Sequence, residues 1–111
     1  MKKLLQLLGV TLVLYTGFSI AHPSHDKLQT INKEQAIISA TQQIKELVDA
    51  GTLKKSWVLA KVSKTVFERR DSRLTWNVSF DNTEVADEKQ KILYIYLTNT
   101  GYYISSDFTG E

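Results

Sequence analysis

From residue 32 onward the apolar positions fall at helical spacing. Ala36, Ile37, Ala40, Ile44, Leu47 and Val48 recur every three or four residues and form one stripe, the pattern of a helix with one face on a core. Asn32 stands where a side chain can cap the first turn, Gln35 three residues on can reach back to it, and Ile31 with Ala36 supplies a hydrophobic staple across the start. Gly51 predicts the stop, because glycine adopts the left-handed conformation of a helix terminus without a Cβ penalty.

After a short link holding Trp57 the period falls from 3.6 to 2. Val58, Ala60, Val62 and Val66 are expected on one face of a first strand, with Lys61, Ser63, Thr65 and Arg69 opposite; Lys64 and Phe67 break the alternation and predict a bulge or an edge. Next, Leu74, Trp76, Val78 and Phe80 alternate with Thr75, Asn77, Ser79 and Asp81, so this strand has one side on a core, and Trp76 and Phe80 are expected in that core. Residues 81–90 are a polar connection with room for one helical turn. Residues 92–97 are apolar on both faces, as in a central strand, and Thr98-Asn99-Thr100-Gly101 is a turn from which residues 102–108 return antiparallel. The expected fold class is α+β: one N-terminal helix packed on a small antiparallel sheet of three to four strands, forming a single domain over residues 32–111.

The segment ahead of the helix has a different character. Lys2 and Lys3 precede an apolar stretch over residues 4–18, and Ser19-Ile20-Ala21 then places small residues before a cut, so residues 1–21 read as a secretory signal peptide. Gln6, Gly9, Thr11, Thr16 and Gly17 interrupt the run, whereas a membrane-spanning helix needs roughly 20 apolar residues. The expectation is an exported protein, periplasmic or secreted, with no stable membrane insertion after cleavage. Its mature chain would open at His22, with residues 22–31 as a flexible lead-in. With no cysteine, the chain can form no disulfide and carry no lipid on a thiol.

The formal net charge of +2 disappears with Lys2 and Lys3, and a neutral mature protein gives no reason to expect a nucleic-acid partner. The charges are unevenly placed. Lys54, Lys55, Lys61, Lys64, Arg69, Arg70 and Arg73 face only Glu68 and Asp71 in residues 54–73, whereas Asp81, Glu84, Asp87, Glu88, Asp107 and Glu111 face only Lys89 and Lys91 beyond residue 74. Basic and acidic strands pairing across a sheet would account for this, and so would a basic face that recruits an acidic partner.

The supply of reactive groups is poor. His22 and His25 are the only histidines and both precede the expected fold, so no rigid nucleophile and base arrangement is available. Asp87 and Glu88 sit in a solvated connection, and the expectation is a protein that is not an enzyme. One chemistry stands apart. An N-terminal His22 would present its amine and ring Nδ1 to one ion, His25 a third nitrogen and Asp26 a carboxylate, a set that favours Cu(II). Pro23 removes the backbone N–H that a usual amino-terminal copper motif deprotonates, and a solvated tail accounts for the same residues.

Tyr94 and Tyr96 share a strand face, and with Tyr102 they suit either sheet packing or a binding surface for a peptide. The edge expected over residues 62–67 could instead accept an extended peptide by strand addition.

The helix opening Asn32-Lys33-Glu34-Gln35-Ala36 with Ala40 one turn later, and the hairpin Leu93-Tyr94-Ile95-Tyr96-Leu97-Thr98-Asn99-Thr100-Gly101-Tyr102, resemble the PepSY type of small exported bacterial domain. The whole chain also looks like a family of uncharacterised small exported proteins sharing a His-bearing mature N-terminus, the Trp76-Asn77-Val78-Ser79-Phe80 strand and a closing Asp107-Phe108-Thr109-Gly110. PepSY domains are proposed to restrain proteases or bind peptides near the cell surface, so the resemblance implies a binding role. Many PepSY hairpins carry an acidic residue four positions before the turn glycine, where this chain has Leu97. The leading expectation is therefore a non-enzymatic exported binding or regulatory module for a protein or peptide; the alternative is a periplasmic copper-binding protein using His22 and His25.

Overall fold

The computed structural model describes residues 29–111. Residues 1–21, expected to be a signal peptide, and His22, His25 and Asp26 lie outside the described residues. Helix α1 spans Lys33–Asp49, and four strands follow: β1 Lys61–Arg70, β2 Arg73–Asp81, β3 Ile92–Thr98 and β4 Tyr103–Asp107. They form one antiparallel sheet in the order β1-β2-β3-β4, with single 3-10 turns at Lys55–Leu59 and Glu88–Gln90. The expected α+β class, one helix on an antiparallel sheet, is what the chain adopts.

Both ends of α1 follow from their sequence. The Asn32 side chain accepts from Gln35 N at 2.8 Å, and Gln35 Oε1 accepts from Asn32 N at 2.8 Å, a complete capping box. At the other end Gly51 takes φ +82, Thr52 N donates to Leu47 O and Gly51 N to Val48 O, which together make a Schellman cap. The helix start is tied to the sheet by Ile31 N donating to Asn99 O in the β3–β4 turn.

Ala36 and Ala40 are fully buried and let the helix backbone approach the sheet closely, with Ile44 packed one turn further on. Beneath them lie Val78 and Phe80 of β2 and Leu93, Ile95 and Leu97 of β3. The register explains the shared face, since Phe80 pairs with Leu93, Val78 with Ile95 and Trp76 with Leu97. Trp57, carried by the first 3-10 turn, plugs one end of this layer with its ring 6.0 Å from Phe108.

Several local expectations are corrected. Val58 belongs to the 3-10 turn and is exposed, because the strand begins only at Lys61. The interrupted alternation of β1 does mark a bulge, between Val62 and Lys64, and β1 is an edge strand. Trp76 lies at the rim of the core and not in it, half-buried under Phe67, with ring centroids 4.7 Å apart. Leu74 is exposed, while its polar neighbours Thr75 and Ser79 are buried on the opposite face of β2. The basic and acidic segments do not pair across strands. Among the described residues the ion pairs are local: Lys45 with Asp49, Arg70 with Glu68 and Lys91 with Glu88. No helix among the described residues is long and apolar enough to cross a membrane.

Candidate functional site

The two faces of the sheet end up very different. The face away from α1 is closed by the chain's own C-terminal turn. Asp107 Oδ1 accepts from Thr109 N at 3.2 Å and Gly110 N at 2.9 Å, bending the chain back so that Gly110 rests on the ring of Tyr94. Tyr96, in the same row, is only 2% exposed. Its hydroxyl donates to Asp107 Oδ1 at 3.4 Å, and the Arg70 guanidinium lies 4.1 Å from its ring centroid. Arg70 also donates to Glu68 Oε2 at 3.4 Å and to the main-chain oxygen of Glu111, while Asn77 Nδ2 donates to Glu68 Oε2 at 3.3 Å. Burial, then the charge of Asp107, pushes the Tyr96 phenol up to about 12, with Arg70 opposing. The phenol stays protonated and serves as a donor that links β3 to the end of β4.

Tyr102 stands elsewhere. It is 51% exposed and borders a hollow against Ser39, Gln42, Gln43 and Glu46 of α1. The structure thus brings Tyr94 and Tyr96 together under the C-terminal turn and leaves Tyr102 on the helix side, so the three do not form one surface.

The open surface is on the helix side, beside β1. Helix α1 touches β1, β2 and β3, but the helix-side residues Val62 and Phe67 of β1 stay exposed, and a groove of about 700 Å³ runs between α1 and the 3-10 turn. Phe80 and Trp57 form its inner wall, and Ile37, Ile38, Val58 and Ala60 line its sides. Ile38 is 65% exposed, and Leu59 and Val62 nearby are exposed too. Beyond Thr65 on the same helix-side face, Phe67 of β1 is 46% exposed. Among the described residues the outer edge of β1 has no neighbouring strand, so a ten-residue edge adjoins the groove. Grooves of this size and polarity are the usual form of binding sites.

Ile38 and Val58 are the groove residues that sequence reasoning missed. Ile38 follows Ile37 and falls off the helical stripe, and that displacement was the available signal. Among the described residues no cluster of histidine, cysteine, aspartate and glutamate is arranged to hold a metal ion.

Fold and groove together define a small α+β domain whose antiparallel sheet has its β1 edge beside an apolar groove. The chain belongs to DUF6488, a family of unknown function, which it matches over residues 1–111. No curated protein and no solved structure matches it.

Proposed function

We propose that the protein is an exported, non-catalytic binding or regulatory module that engages a protein or peptide along the β1 edge and the apolar groove beside it. The observation that carries this reading is the juxtaposition of an unpaired strand edge with exposed Ile38, Val58 and Val62. Main-chain groups on such an edge supply hydrogen bonds to an extended segment, and an adjacent groove takes its side chains. Export rests on residues 1–21, a basic start, an apolar run and small residues before Ala21. The PepSY resemblance points to binding as well, although the acidic hairpin position is Leu97 here.

The test is a photo-crosslinking scan in the native host. A photoreactive phenylalanine replaces Ile38 or Val62, with Glu88, exposed and not lining the groove, as control. Discrete adducts at positions 38 and 62 and not at 88 are expected. Equal labelling at all three positions, or none at 38 and 62, overturns the reading.

A further inference from the structure

The two faces of the β1 edge differ in chemistry, and the difference specifies a ligand. The register places Val62 opposite Phe80 and Phe67 opposite Trp76, on the helix side, whereas Lys61 is opposite Asp81 and Lys64 opposite Ser79, on the far side. Both lysines are exposed, and neither forms an ion pair with a carboxylate among the described residues. Thr65 falls between Val62 and Phe67 on the helix side, and Val66 and Glu68, the latter held by Arg70 and Asn77, follow Lys64 on the far side. A segment added to this edge therefore meets mainly apolar side chains on one face and, along the first half of β1, unpaired ammonium groups on the other. Successive residues of an extended chain point to opposite faces.

We infer that the occupant is an extended peptide segment in which acidic and bulky apolar residues alternate, the apolar ones directed to the Val62 and Phe67 side and the carboxylates to Lys61 and Lys64. This rests on the proposed binding role and names its partner chemistry. Charge complementarity favours that occupant over a second copy of the chain. Antiparallel pairing of two β1 strands centred between Thr65 and Val66 would set Lys61 against Arg70 of the other copy, and like charges directly opposite destabilise a strand pair. Lysines and a bulge on an edge are also the common means of preventing self-association, and the bulge between Val62 and Lys64 adds to this one.

The test uses fluorescence anisotropy of labelled six-residue probes with the purified full-length protein. The first probe alternates Asp-Val-Asp-Leu-Asp-Val; a second replaces each Asp by Asn, a third replaces each by Lys, and a fourth groups the three Asp ahead of the apolar residues. The alternating acidic probe should bind tightest and weaken with added salt, and the double variant K61E/K64E should bind it roughly tenfold more weakly while gaining affinity for the lysine probe. Reversal of preference is a result that loss of folding cannot mimic.

Equal binding of the acidic, Asn and Lys probes, abolished by Val62→Asp in protein whose circular dichroism is unchanged, would overturn the charge rule and leave the edge as a binding site. Equal binding of the alternating and grouped acidic probes would overturn the strand-like pattern. No binding of any probe would overturn both this inference and the edge reading for peptides. Concentration-dependent dimerisation in sedimentation without peptide, abolished by Val62→Asp, would replace the peptide with a second copy.

Discussion

Ile38 and Ile44 lie on the same helix six positions apart, and the structure gives them opposite work. Ile44 is 3% exposed within the core, and Ile38 is 65% exposed at the groove. Truncating Ile44 to Ala removes about three buried carbons, worth about 2.4 kcal/mol at roughly 0.8 kcal/mol each, and the cavity left behind raises the cost to about 3–4 kcal/mol. For a domain of this size that lowers Tm by about 12–32 °C. Truncating Ile38 forfeits only about a third of the transfer term, about 0.8 kcal/mol, and alanine's better helix propensity offsets up to about 0.5 kcal/mol of it. Ile38→Ala should therefore melt within a few degrees of the parent in calorimetry or circular dichroism while losing cross-linking or peptide affinity. A cost above about 1.5 kcal/mol for Ile38→Ala would show that the side chain is packed in solution, and the groove reading would then be wrong.

Three further predictions concern the frame around the groove. Asn32→Ala removes the side-chain acceptor of Gln35 N while keeping the backbone N–H that donates to Gln35 Oε1, and should cost about 1 kcal/mol in urea unfolding, with the loss of helical signal concentrated at the start of α1. Gly51 and Gly110 have similar positive φ, +82 and +78, yet a Cβ at Gly51 meets open space and one at Gly110 would lie 3.0 Å from Tyr94 Cζ. Gly51→Ala should thus cost about 1 kcal/mol in thermal unfolding, and Gly110→Ala more, with a change in tyrosine near-ultraviolet dichroism as the C-terminal turn lifts. Tyr96, with its pKa raised from 10.0 to about 12, holds its proton more tightly folded than unfolded, so the stability it contributes is complete below pH 10 and lost as pH rises towards 12. Absorbance at the tyrosinate band should show one late step near 12 that Tyr96→Phe removes.

Much of the frame was legible because its causes are local. Asn32, Gln35 and Gly51 act within a few residues of themselves, and the alternation of β2 and the hairpin residues Thr98 to Gly101 report the path of the backbone directly. What was hidden depends on how elements meet. That the buried core under α1 is built on β2 and β3, with Ala36 and Ala40 at its centre, leaves Ile38 and Val62 outside it and exposed. The closing of the Tyr94 and Tyr96 face depends on Asp107 folding the chain end back, a tertiary event that a pattern of alternating tyrosines does not encode. The basic bias of β1 was visible, but its lysines proved to face solvent without cross-strand partners.

Amide hydrogen exchange along β1, with and without a saturating amount of the alternating acidic probe, bears most directly on the claim that this edge is the binding site. On an edge strand alternate amides point outward, so the account predicts that outward amides within Lys61–Arg70 slow on addition of the probe, while those already bonded to β2 change little. Protection confined to the β4 edge or to α1, with the outward amides of β1 exchanging as freely as before, would contradict it.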